Sequence, residues 1–102
     1  MAVPLSPGVR YHRDGGHTVR LELTGPVDPA SVGRAIRDVA AEGPGVLLMD
    51  LRRVASVDSA SLTRVLDALR AVRRDGLTVA VMPGATTVRR VLGSAAAGRR
   101  DR

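Results

Sequence analysis

The sequence predicts an α/β fold: one domain with a mixed sheet of four or five strands packed by about three helices. Residues Val46–Leu51 form a nearly continuous apolar run after a Gly-Pro-Gly turn, which is typical of a strand covered on both faces. From Leu62 to Val72 apolar residues recur at steps of three and four, which indicates an amphipathic helix. Residues Leu77–Met82 follow as another strand, so these three elements form a crossover unit with parallel strands.

A β-hairpin is predicted before the first helix. Two segments, 9–12 and 17–24, flank the turn sequence Asp14–Gly16. Apolar and polar residues alternate from Val19 to Thr24, so one face of the hairpin is expected to face solvent. The residues before the hairpin, 1–8, are expected to form a flexible N-terminus.

Both predicted helices begin with a capping signal. Asp28 precedes a proline, which suits the first helical position, and the helix that follows ends at Gly43. The second helix begins at Asp58 or Ser59, and either side chain can cap it, before the helix ends near Arg74. The first N–H groups and the dipole of such a helix start favour an anion.

The C-terminal part of the chain is predicted to add one more helix. Pro83-Gly84 ends the last strand, and a short helix is expected over Val88–Leu92. The domain is therefore expected to cover residues 9–94. Residues 95–102 are expected to form a basic tail without fixed structure.

Composition excludes several classes of function. The chain has no cysteine, so it has no disulfide, no thiolate metal site and no cysteine nucleophile. It shows neither a signal-peptide pattern nor a run of about 20 apolar residues, so a cytoplasmic protein without a membrane span is expected. Its 16 basic residues are all arginine and outnumber 10 acidic ones, giving a net charge of +6. Such a charge attracts acidic proteins, anionic lipid or nucleic acid without selecting among them.

Signals for catalysis, metal binding and nucleic-acid recognition are weak. His12 and His17 lie near the first turn without an acidic partner at the spacing of metal ligands or a triad, so both are predicted to be surface strand residues. The glycine groups lack the Lys-Ser/Thr of a phosphate-binding loop. Tyr11 is the sole aromatic residue, so no stacking platform for nucleic acid exists. We predict a protein that is not an enzyme, needs no cofactor or metal and binds no specific nucleic acid.

From about Val19 to Leu92, the order of motifs resembles the STAS domain of anti-sigma factor antagonists. Residues Leu23–Asp28 match the family's strand end, glycine and aspartate before its first helix. The Asp58-Ser59 pair stands at the head of the second helix, and the Asp75-Gly76 turn leads to the strand end Val79–Pro83. The order and spacing of these motifs carry the resemblance.

The resemblance implies a phosphoacceptor and a partner-binding surface. Ser59 matches the family's phosphoacceptor serine. The residues that would contact the partner are Asp28, Asp58, Ala60, Ser61 and Leu62. This chain departs from the family string at two of them, because Ala60 removes a hydroxyl and Ser61 stands where a glycine lets a partner's backbone approach closely.

The function implied by the resemblance is that of an anti-sigma factor antagonist, monomeric when free. It would bind an anti-sigma factor that is a serine kinase, and phosphorylation of Ser59 would end the binding; ATP and magnesium would belong to the kinase. Two alternatives remain. The chain could be a STAS accessory subunit of an ATP-binding cassette lipid transporter, or a module that senses an anion or nucleotide at the same helix start.

Overall fold

Five strands and two helices make up the described part of the chain, residues 2–6, 8–55 and 57–84 of the computed structural model. In chain order the elements are β1 (Ala2–Ser6), β2 (Val9–Asp14), β3 (Thr18–Thr24), α1 (Pro29–Ala41), β4 (Val46–Arg53), α2 (Ser59–Arg74) and β5 (Thr78–Met82). The structure therefore confirms the predicted α/β class. The predicted third helix and the basic tail lie outside the described residues.

The sheet is mixed, and its five strands stand in the order of the chain. Strands β2 and β3 pair antiparallel, as expected from the turn around Gly15, and β1 pairs antiparallel with β2. Strands β3, β4 and β5 pair parallel, with Leu21 beside Met49 and Met49 beside Val81. Each parallel pair is joined through a helix, which is the usual connection between parallel neighbours. The carboxyl ends of β3 and β4 consequently meet at one edge of the sheet.

One hydrophobic core joins the sheet to both helices. The inward side chains of β3 and β4, such as Leu21 and Met49, are fully buried, and they share one apolar cluster with Ile36 of α1 and Val65 of α2. Because α1 and α2 also pack against each other, both helices cover the same face of the sheet. The helical periodicity from Leu62 to Val72 identified the inward face of α2 correctly.

Helix α1 ends as predicted, at a glycine in the left-handed region. The N–H groups of Glu42 and Gly43 donate hydrogen bonds to the carbonyls of Val39 and Ala40. Gly43 has a φ of 75°, a conformation that residues with a Cβ rarely adopt. The helix therefore stops there, and the chain turns back into β4.

Three expectations about the sheet are corrected. Residues 1–8 were expected to be flexible, but β1 pairs with β2 at the sheet edge, where Pro4 is tolerated because an edge strand has unpaired positions. Strand β4 was expected to be covered on both faces. Both helices cover one face, and the other presents the half-buried Leu48 and Asp50, which is only 1% exposed. Glu22, expected on a solvent face, is also buried, because ion pairs cover it.

Candidate functional site

The starts of both helices lie at the edge where the parallel strands β3 and β4 end. The chain passes from Thr24 into α1 through Asp28, and from Arg53 into α2 through Asp58. Since the two helices pack side by side, their N-terminal ends share one surface. We call the surface formed by Asp28, Asp58, Ser59, Ala60 and Ser61 the helix-start surface. In parallel α/β sheets, ligands and partners commonly bind at this end of the strands.

Asp58 is the N-cap of α2. The sequence had left open whether Asp58 or Ser59 caps this helix. Its Oδ1 accepts a hydrogen bond of 2.7 Å from the backbone N–H of Ser61, and its Oδ2 accepts one of 3.1 Å from the Ser61 hydroxyl. The backbone hydrogen bond from Ser61 lowers the pKa of the Asp58 carboxyl. The positive end of α2 therefore already holds a carboxylate.

Ser59 is the first residue of α2 and is exposed. Within the part of the chain that the structure describes, its hydroxyl has no hydrogen-bond partner. Asp58 takes the capping role, so the Ser59 hydroxyl is not needed to satisfy the helix. The Ser59 Oγ is thus available for reaction with an external group, one residue away from a fixed negative charge.

Asp28 occupies the corresponding place at the start of α1. Its Oδ2 accepts a hydrogen bond of 2.7 Å from the Ser31 hydroxyl, and this bond lowers the pKa of the Asp28 carboxyl. Arg64 of α2 lowers the same pKa through its positive charge. Asp28 and Asp58 are both exposed, so the helix-start surface carries two fixed negative charges.

The three residues that follow Ser59 have different surroundings. Ala60 is exposed, and Ser61 is half-buried with its hydroxyl turned to Asp58. Leu62 is only 1% exposed and belongs to the core. As the first apolar residue of α2, Leu62 anchors the helix start to the sheet, and its predicted contact with a partner stays a prediction.

A cleft of about 380 Å³ lies beside the helix-start surface. The loop after β3 contributes residues 25–27 to its wall, and the loop after β4 contributes Val57 and Asp58. Arg53 also lines the cleft, a residue that the sequence analysis did not single out. Arg53 is the last residue of β4, and no motif in the sequence marks it as part of a site.

The described residues contain neither a cluster of metal ligands nor a helix that could cross a membrane. Within residues 2–6, 8–55 and 57–84, no three histidine, aspartate or glutamate side chains cluster at a distance that could hold a metal ion. No helix in this part of the chain is long and apolar enough to cross a membrane.

Solved structures of other proteins share this fold. The anti-sigma factor antagonist SpoIIAA in its unphosphorylated form matches with a TM-score of 0.66 and 18% identity, over 89% of this chain and 83% of that chain. An anti-sigma factor antagonist from Mycobacterium paratuberculosis matches with a TM-score of 0.65 and 21% identity, over 97% and 86%. A protein called Mglu matches with a TM-score of 0.63 and 26% identity, over 70% of this chain but 18% of that chain.

No protein-family model matches the chain, and no curated protein does. At the identities found for the two antagonists, a structural likeness identifies the fold. The chain has the STAS fold of the anti-sigma factor antagonists, which confirms the resemblance predicted from its motifs.

Proposed function

We propose that this chain is an anti-sigma factor antagonist that is controlled by phosphorylation at Ser59. In its unphosphorylated form it binds an anti-sigma factor that is also a serine kinase, through the helix-start surface. The observation that carries the proposal is the exposed Ser59 hydroxyl, which has no hydrogen-bond partner among the described residues while Asp58 caps the helix. The STAS fold supports the choice of partner.

The phosphoryl group would enter at a position where the fold tolerates it. Phosphorylation transfers the γ-phosphoryl group of ATP to the Ser59 Oγ, with loss of the hydroxyl proton and release of ADP. The product adds about 1.5 to 2 negative charges at the first residue of α2. The positive pole of the helix favours that charge in the free domain, so the fold is retained. ATP and magnesium are supplied by the kinase.

The same charge would oppose docking. A partner that covers the helix-start surface must remove water from the new phosphate, and it must accept this phosphate beside Asp28 and Asp58. Moving the complex from 99% bound to 1% bound needs a differential binding free energy of about 5.5 kcal/mol. Burial of a dianion next to fixed carboxylates can supply an energy of that order, because desolvation and repulsion add.

The proposed contact residues have distinct roles. Asp58 positions the start of α2, and Ala60 offers a small exposed side chain beside Ser59. Ser61 carries a hydroxyl where the family has glycine, and this hydroxyl points to Asp58. We expect Ser61 to narrow the choice of partner, because its side chain keeps a partner's backbone further away than glycine does.

Incubation of the purified chain with its kinase, magnesium and ATP, followed by mass spectrometry, tests the proposal. We expect one phosphate, located on Ser59 and absent from Ser59→Ala. The matched control is Ser61→Ala, which removes a neighbouring hydroxyl but should still accept phosphate. Phosphate on Ser61 with Ser59 unmodified would contradict the assignment.

The two alternatives predict different partners. A transporter accessory subunit would be recovered from its host with a transporter ATPase instead of a small kinase. A sensor that holds an anion at the start of α2 would need its ligand to compete with the Asp58 carboxylate for the Ser61 N–H. That competition makes the sensor the weaker alternative at this helix start.

A further inference from the structure

Two carboxylates are buried side by side on the face of the sheet opposite the helices. Glu22 of β3 and Asp50 of β4 are paired across the parallel strands, so their side chains lie on the same face. Glu22 is 7% exposed and Asp50 is 1% exposed. Two neighbouring buried negative charges need positive partners, because each is costly to bury alone.

Arginine side chains supply those partners for Asp50. Arg52 donates from Nε to Oδ1 and from Nη2 to Oδ2, both at 3.0 Å, which is a bidentate pair. Arg20 donates from Nη1 to Oδ2 at 3.1 Å. The hydrogen bond from Arg52 is the main reason why the pKa of Asp50 falls to about 2. Asp50 is therefore ionised at neutral pH and fixes the position of two guanidinium groups.

Glu22 is held in the same manner. His12 lies 2.9 Å from its Oε1, and Arg53 lies 2.6 Å from its Oε2. The hydrogen bond with His12 lowers the pKa of Glu22. A bulge in β4 explains how Arg53 reaches this face, because the two residues of β4 between Asp50 and Arg53 oppose the one residue of β3 between Glu22 and Thr24. The bulge therefore places two consecutive arginines above the same pair of carboxylates.

The result is a basic cleft of about 530 Å³, which we call the sheet-face cleft. It is lined by the two carboxylates and by Arg10, His12, Arg20, Arg52 and Arg53. Arg20 also donates from Nε to Asp14 Oδ2 at 3.1 Å. Arg10 has no hydrogen-bond or ion-pair partner within the described residues. The side chains of Arg52 and Arg53 are 59% and 70% exposed, although each holds a buried carboxylate. Cationic N–H groups thus remain open to solvent after the carboxylates are satisfied.

We propose that the sheet-face cleft binds a small anion that carries two or more phosphate or carboxylate groups. The planar guanidinium fork of arginine matches both groups, and buried carboxylates hold the forks in place before a ligand arrives. The volume of the cleft falls within the range of about 300 to 1,000 Å³ that is typical of small-molecule sites. This site is separate from Ser59, which lies at the start of α2 on the other face of the sheet.

Titration calorimetry on the full chain with pyrophosphate, and separately with citrate, tests the proposal at constant ionic strength. The test variant is the double substitution Arg10→Gln and Arg52→Gln. Arg53 is left unchanged, because it also lines the cleft beside Asp58 and its loss would affect both sites. The matched control is Arg73→Gln with Arg74→Gln, which removes the same charge from the exposed end of α2. Arg10→Gln alone serves as a further variant, because Arg10 has no described partner to lose.

We expect at least one of the two anions to bind, and the test variant to weaken it by about tenfold or more, as the loss of charge-assisted hydrogen bonds predicts. Arg10→Gln alone should weaken binding in the same direction while the fold stays intact. Binding of pyrophosphate alone would assign a phosphate ligand, and binding of citrate alone a carboxylate ligand. The proposal is overturned by no binding of either anion at millimolar concentration. The proposal is also overturned if the control variant weakens anion binding as much as the test variant does. Binding of duplex DNA without binding of either small anion overturns it too.

Discussion

Replacing Asp50 with asparagine removes a buried charge while it keeps the size of the side chain. The neutral amide keeps only one acceptor oxygen, so it cannot replace both carboxylate oxygens. Arg52 donates two hydrogen bonds to Oδ1, and Arg20 and Arg52 each donate one to Oδ2. The pKa of this carboxyl falls from its ordinary value of 3.8 to about 2 in the folded chain. A shift of nearly two pKa units corresponds to about 2 kcal/mol of stability from the ionised carboxylate.

The sign of the pH dependence follows from that shift. Because the folded pKa is lower than the unfolded one, the unfolded chain takes up the proton first as the pH falls. The stabilisation by Asp50 is complete well above pH 3.8 and is lost as the pH falls toward 2. Asp50→Asn should therefore lower the free energy of unfolding by about 2 kcal/mol at neutral pH, and the difference from the unchanged chain should vanish near pH 2.

Urea unfolding at a series of pH values measures this difference, with the slope of free energy against urea expected to stay the same. Asp38→Asn is the matched control, because Asp38 is exposed on α1 and should change stability by less than about 0.5 kcal/mol. If Asp50→Asn lowers the free energy of unfolding at neutral pH by no more than this control does, the ionised Asp50 does not stabilise the fold as described. A loss of stability that does not depend on pH would contradict the same claim.

Three further substitutions test the core, a turn and the helix start. Met49→Ala should lower the free energy of unfolding by about 2 to 5 kcal/mol in urea titration, because Met49 is fully buried; a loss below about 1 kcal/mol would contradict its place in the core. Gly84→Ala should cost more than about 1 kcal/mol, because Gly84 has a φ of 70° and a Cβ there would lie 2.6 Å from the Cα of Arg52; an unchanged melting temperature would contradict this. Ser61→Gly should raise the affinity for a kinase that acts on STAS domains, measured by calorimetry. It should also lower the melting temperature, because glycine removes the hydrogen bond from the Ser61 hydroxyl to Asp58 and disfavours the helix. Unchanged affinity would contradict the proposal that Ser61 narrows the choice of partner.

The fold was predictable where one physical signal dominates a segment. Helical spacing from Leu62 to Val72 and the cap at Asp58 located α2, and the apolar run from Val46 located β4. Strand β1 was missed because it is short and contains Pro4, so neither alternation nor β propensity marks it. It forms because β2 offers an edge to pair with, and such pairing depends on the assembled sheet.

The helix-start surface was predictable in part. A cap signal and a resemblance placed Ser59 and Asp58 at a helix start, and the structure then showed which of the two caps it. The burial of Glu22 and Asp50 could not be read from sequence, because it depends on the register of β3 against β4 and on a bulge. A polar residue in an alternating strand reads as solvent-facing until its cross-strand partners are known.

The proposed switch is tested by calorimetry of the chain with the anti-sigma factor proposed as its partner, before and after phosphorylation. We expect tight binding by the unphosphorylated chain. Once Ser59 carries phosphate, a complete switch lowers the affinity by about 10⁴-fold, which corresponds to about 5.5 kcal/mol. Ser59→Ala treated with the same kinase and ATP should keep the affinity of the unphosphorylated chain. Equal affinity of the phosphorylated and unphosphorylated chains, with phosphate verified on Ser59, would contradict the proposed phosphorylation switch.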